Sequence, residues 1–219
     1  MLRRVLVLVL VLVLLGAAAA AGDLVLRHRT EAIIENELVA IGMQNPRVSV
    51  GGPVVTPQVL RGRFDTLTVM ADALLADGVE LDRLHATLTD VTAGDHPRAG
   101  ALSGTAEMTP AAMTAALGQE LDVSIEGGAL VATLRAAPLS ATVVPHLRGD
   151  RVDLEVTQLT LAGVSVAPAD LPLGLGDAFE NMSVPISGLP DGVVLDAVHV
   201  GPQALELSFK GTDVPLEKP

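Results

Sequence analysis

Apolar and polar residues alternate with a period of two along much of this chain. Leu121, Val123 and Ile125 stand against Asp122, Ser124 and Glu126; Val152, Leu154 and Val156 against Asp153, Glu155 and Thr157; Leu205, Leu207 and Phe209 against Glu206, Ser208 and Lys210. Each run reads as a strand with one dry face and one wet face. Turn signals at Gly127-Gly128, Pro138, Gly149-Asp150, Gly163 and Gly201-Pro202 cut the region into lengths suited to an antiparallel meander.

Near the N-terminus the period changes. Leu26, Ile33, Ile34, Leu38 and Ile41 recur at three- and four-residue spacing, Asp23 stands where a cap belongs, and Gly42 is a stop signal. Arg27, Arg29, Glu31 and Glu35 fall on the other face, so the apolar stripe is expected to pack on a sheet. A second, short helix is predicted over Pro110 to Leu117 with Thr109 as its cap, and Leu171 to Phe179, rich in Gly and Pro, reads as an apolar flap. The predicted class is α+β: an N-terminal amphipathic helix packed in a curved, mostly antiparallel β-sheet.

The stretch VSVGGPVVTPQVLRGRFDTLTV, residues 48–69, joins two alternating segments through Gly51-Gly52, Pro53, Pro57 and Gly62. The glycines open backbone conformations closed to other residues and the prolines fix φ, so Val54 to Leu60 is expected to be a short, rigid, apolar connection. Gly52, Pro53, Gln58, Leu60, Gly62 and Phe64 resemble the pattern of the actinobacterial LmeA-like phospholipid-binding family, which often carries an aromatic residue after the proline where this chain has Val54. The tail LPDGVVLDAVHVGPQALELSFKGTDVPL, residues 189–216, is similar to the closing hairpin of that family.

Composition shapes the interior. The chain has no Trp, no Tyr and three Phe, so Val, Leu and Ala must fill it. Such side chains on a curved sheet favour an enclosed aliphatic cavity, the alternative being a small, well-packed aliphatic core. With no Cys, neither disulfides nor a lipid-modified cysteine is available.

Met1-Leu2-Arg3-Arg4, the apolar run from Val5 and the small residues to Ala21 have the layout of a secretory signal for Sec export. Val5 to Ala21 is 17 residues, near the lower limit for a spanning helix, so residues 1–22 are a signal peptide or an N-terminal membrane anchor. Residues 23–219 are then one domain, placed in the periplasm or cell envelope. Without Arg3 and Arg4, 12 basic residues face 26 acidic ones, a net charge of −14. That balance argues against nucleic acid and against binding a bulk anionic bilayer through charge.

Catalytic patterns are sparse. His28, His85, His96, His146 and His199 form no i, i+4 pair for zinc, and no metal or other cofactor is expected. Gly100-Ala101-Leu102-Ser103-Gly104 has its serine one place too late for a nucleophile elbow. Gly174-Leu175-Gly176-Asp177-Ala178-Phe179 starts like a dinucleotide loop but places Phe179 where a small residue belongs. Arg47, Arg61 and Arg63 flank the Gly-Pro turn; arginine can grip a phosphate in a two-pronged way, or these residues pair with acids such as Asp65 and keep the turn soluble.

The resemblance implies a non-enzymatic protein whose ligand is phospholipid. It implies a lipid site built from Ile34 and Leu38 of the helix with Val54, Val55, Leu60, Phe64 and Leu67 of the turn, and headgroup contacts from Arg47, Arg61 and Arg63. Membrane-embedded envelope enzymes or the membrane surface would be partners, in maturation of envelope lipids or lipoglycans. The competing reading is a secreted interaction domain with a fully packed core, and a carboxylate-based hydrolase is the third.

Overall fold

The computed structural model describes residues 22–40, 42–76, 78–94, 96–118, 120–166, 179, 182–186 and 189–216. Residues 1–21, Ile41, Asp95, most of the predicted flap with its dinucleotide-like glycines, and the last three residues lie outside them. Helix α1 covers residues 22–40. It is followed by β1 (Met43–Gln44), β2 (Arg47–Val50), α2 (Thr56–Arg61), β3 (Arg63–Ala76), β4 (Val79–Thr92) and β5 (Arg98–Met108). Next come α3 (Pro110–Leu117), β6 (Leu121–Glu126), β7 (Ala129–Leu134), β8 (Leu139–Arg148) and β9 (Arg151–Leu161). The last strands are β10 (Val164–Val166), β11 (Ser183–Pro185), β12 (Val193–Val200) and β13 (Leu205–Pro215).

Among the described residues the strands form two open antiparallel sheets. One runs β1-β3-β4-β5-β13-β12, with β2 also on β3; the other runs β10-β9-β8-β7-β6, with β11 also on β9. The chain is thus α+β and mostly antiparallel sheet, as predicted. The dry faces of both sheets contribute to one buried cluster, from Val50, Phe64, Leu67 and Leu88 in the first to Leu130, Ala141, Val143 and Val152 in the second. Helix α3 starts where predicted: Thr109 Oγ1 accepts the Ala112 N–H at 3.3 Å, and the fully buried Met113 seats the helix in the cluster.

β3 and β4 are fourteen residues each, and their alternation changes phase along the way. In β4 the buried positions are Val79 and Leu81, then Leu84, Ala86 and Leu88, then Val91. The phase shifts at Arg83 and Asp90, which are non-glycine residues with φ of 48° and 52°. Around Arg83 the register with β5 shifts between Asp82 and His85, a bulge whose extra residue turns the following side chains over and keeps the dry side dry.

α1 departs from the sequence expectation. Ile34 and Leu38 are half-buried against the core, but Ile33 is exposed. Of its charged stripe, Arg29 is exposed, but Arg27, Glu31 and Glu35 face protein. Glu35 Oε1 accepts the Val48 N–H at 2.9 Å and Glu31 Oε1 the Val50 N–H at 3.1 Å, while Arg27 donates to the carbonyls of Val50 at 3.0 Å and Gly52 at 2.8 Å. These side chains occupy backbone groups of β2 that an edge strand otherwise leaves open to another chain.

Candidate functional site

The Gly-Pro turn between β2 and β3 is built more tightly than its punctuation alone requires. Gly51 donates its N–H to the Thr66 carbonyl at 2.8 Å, and Gly52 has φ of +100°. Within the short, rigid, apolar connection expected over Val54 to Leu60, Thr56–Arg61 form a six-residue helix with a proline in its first turn and Gly62 left-handed at its end.

Gln58 holds the turn together from inside. Its side chain is 2 % exposed; Nε2 donates to the carbonyls of Gly51 (2.9 Å) and Val54 (3.1 Å), and Oε1 accepts the Asp65 N–H at 2.9 Å. A β-carbon on residue 52 would lie 2.7 Å from that Nε2, so the glycine is needed for close approach as well as for its φ. Every hydrogen-bonding atom of the buried amide points at a fixed backbone group, which makes the helix a rigid platform.

Asp23 completes the platform from α1. Expected to cap its own helix, it instead accepts at the start of α2, through Oδ1, the N–H groups of Val55 (2.8 Å) and Thr56 (2.7 Å) and the Thr56 hydroxyl (2.8 Å). The Thr56 N–H, then the Thr56 hydroxyl, hold its carboxyl below the usual range; burial opposes them, and the Val55 N–H and the Arg27 charge assist. A negative group there also suits the exposed N–H groups at a helix start.

On this platform the predicted residues divide. Val55 is fully buried and Phe64 and Leu67 nearly so, all in the core cluster. Val55 is therefore part of the wall behind the turn, with no contact with solvent, and an acid there would disrupt the core. Leu60 is 81 % exposed and Val54 50 %, and Pro53 and Pro57 are exposed beside them. Leu24 and Val25, next to Asp23, are exposed too.

The arginines divide as well. Arg61 donates from Nε to the Pro57 carbonyl at 2.9 Å, and Arg63 reaches Asp90 at 3.5 Å on the surface. Arg47 is elsewhere. It pairs across the sheet with Met70, seven residues along β3 from Arg63, which is roughly 23 Å of strand. There it lines a surface groove of about 220 Å³ with Asn45, Met70, Asp72, Arg83 and His85. Sequence proximity to the turn did not place it at the turn.

Among the described residues no three His, Cys, Asp or Glu side chains converge as metal ligands. Ser103 lies within β5, His85 and His199 are exposed on strands, and His146 faces Glu155 at 3.2 Å on the wet side of the second sheet. The residues that sequence reading left out are Gln58 as the buried bolt and Asp23 and Arg27 as clamps. A charged residue at every fourth position of α1 was the available signal.

A family model described as LmeA-like phospholipid-binding matches residues 17–210. No curated protein and no solved structure matches the chain.

Proposed function

The chain belongs to the LmeA-like phospholipid-binding family, and from that premise we propose that it takes up phospholipid at the tip formed by the Gly-Pro turn and α2. The observation that carries this reading is Leu60, four-fifths exposed on a helix whose other side is fastened by Gln58 and Asp23. A large aliphatic side chain held rigidly in water, beside the exposed side chain of Arg61, suits a ligand with an apolar body and an anionic head.

In this reading Leu60 and Val54 meet the acyl portion first, and the path continues beside the half-buried Ile34 and Leu38, with Val55, Phe64 and Leu67 as the wall. Arg61 takes the phosphate and Arg63 adjoins it. Arg47 belongs to a separate surface. Sheltering about fifteen methylenes would contribute on the order of 12 kcal/mol, an upper bound that suffices to hold one chain out of water. An enclosed aliphatic path is part of this proposal, as are export by Sec, a periplasmic or envelope setting, and delivery of lipid to membrane-embedded enzymes that mature envelope lipids or lipoglycans. Binding and presentation need no catalytic group.

The test is mass spectrometry of the exported protein purified gently from its own envelope, native and then denatured. Stoichiometric phospholipid released on denaturation is expected. A protein that is empty, and stays empty after exposure to liposomes, overturns the reading and favours a packed interaction domain.

A further inference from the structure

We propose that the same tip is the face by which the domain docks on a lipid bilayer, with α2 lying at the headgroup level and Leu60 and Val54 inserted below it. This rests on the phospholipid reading and adds an orientation to it.

Three independent observations converge on one end of the molecule. First, the exposed aliphatic side chains Leu24, Val25, Val54 and Leu60 come from two segments, α1 and the turn, that Asp23 ties together through Val55 and Thr56. Second, the apolar run of the sequence from Val5 ends at Ala21, two residues before that tie. If the run is retained in a membrane, it brings the start of α1, and with it the start of α2, towards the bilayer. Third, a domain with 26 acidic residues is repelled by an anionic leaflet over most of its surface. At the tip Asp23 is engaged by backbone N–H groups, Asp90 lies opposite Arg63, and among the described residues Arg61 donates to the Pro57 carbonyl and pairs with no acid. Exposed aliphatic side chains stand there beside acids that are already engaged.

Two or three inserted side chains hold a free domain weakly. A tether changes this, because docking then becomes intramolecular with an effective concentration on the order of millimolar. Weak docking under a tether suits a lipid carrier, which must touch the membrane to load and leave it to deliver.

The chain has no cysteine, so single labels can be placed without background. Leu60→Cys and, separately, Glu126→Cys beside the Gly127-Gly128 turn of the second sheet would carry a fluorophore in the full-length chain. Each is mixed with phosphatidylcholine vesicles containing a minority of phosphatidylglycerol and lipids with quenchers at known depth. The expected result is a Leu60 label about 5–10 Å inside the headgroup boundary, with the Glu126 label in water. Equal quenching of the two labels, a Leu60 label left in water on vesicle-bound protein, or no vesicle association at all overturns the proposal. As a second check, Leu60→Asp should bring a label at Val54→Cys back into water while the circular dichroism stays unchanged; continued quenching also overturns it. Bound phospholipid without quenching would sink docking alone, and quenching without bound phospholipid would sink the carrier reading alone.

Discussion

The ring of Phe209 lies on the α-carbon of Gly104, its cross-strand partner: a β-carbon built on residue 104 would stand 2.5 Å from Cε2 of the ring and 2.6 Å from the His85 carbonyl oxygen. The glycine looks in sequence like the end of a failed nucleophile elbow. It is instead the seat of one of the few aromatic side chains in the core.

Gly104→Ala is therefore expected to cost about 1–3 kcal/mol by overpacking, read from the urea midpoint at unchanged slope. Phe209→Ala should cost less in the Gly104→Ala background than alone, since removing the ring relieves part of the clash. Equal increments would place the strain on the His85 carbonyl alone.

Gln58→Ala should destabilise the protein by about 2–4 kcal/mol, because two carbonyls and the Asp65 N–H lose their partner together. Glutamate at this site should not restore stability at neutral pH, as it cannot donate to Gly51 and Val54. Full stability of the glutamate variant would show that water satisfies those carbonyls.

The Asp23 carboxyl titrates below its ordinary value near 3.8 when the protein is folded. Its contribution is complete above that value and is lost as the pH falls through the lower folded-state value. Asp23→Asn should thus be less stable than the parent above about pH 5, and the two should converge in acid. A pH-independent gap in thermal midpoint would mean that the negative charge of Asp23 is not what the start of α2 responds to.

Two neighbouring acid substitutions should behave oppositely. Val55→Asp places a charge at a site with no solvent contact and should abolish the cooperative unfolding transition. Leu60→Asp should leave stability within about 0.5 kcal/mol while phospholipid content falls. Unchanged lipid content in the Leu60 variant removes that side chain from the binding site.

How much of this the sequence disclosed depends on whether a signal was local. The helix Pro110–Leu117 with Thr109 at its cap and the strands around Leu121, Val152 and Leu205 follow from period and punctuation within a few residues, and the closing hairpin follows from the resemblance of the tail. β3 and β4 were harder to read, because each keeps its dry face through changes of phase that a strict period of two counts as noise. α2 is six residues with a proline in its first turn, too short to show a period. At the site, Leu60 and Arg61 stood out as an apolar and a cationic residue of the turn, while the exposure of Leu60 did not. The burial of Val55 was not legible, nor was the distant position of Arg47, which follows from how β2 pairs with β3. The polar face of α1 misled for another reason: periodicity reports which side is apolar and says nothing about what a charged side chain bonds to.

Glu31→Ala with Glu35→Ala should speed hydrogen exchange at the Val48 and Val50 amides and leave that of Val69 in the neighbouring strand unchanged. The loss of two carboxylate acceptors should cost roughly 1–3 kcal/mol each. Slow exchange at both amides in the double variant would show that some other group shields this edge.

α1 and β2 meet as two rulers with nearly equal graduations. Four residues of helix rise about 6.0 Å and turn the contact stripe by about 40°, whereas two residues of strand advance about 6.7 Å. Glu31 and Glu35 can therefore match Val50 and Val48 in turn, but the stripe drifts with each step, and by Arg27 and Asp23 the chemistry has changed to carbonyls and then to a helix start. The mismatch sets a ceiling on how long a strand this helix can seal. β2, at four residues, is about as long as that vernier allows, and lengthening it would leave the added residues unmatched.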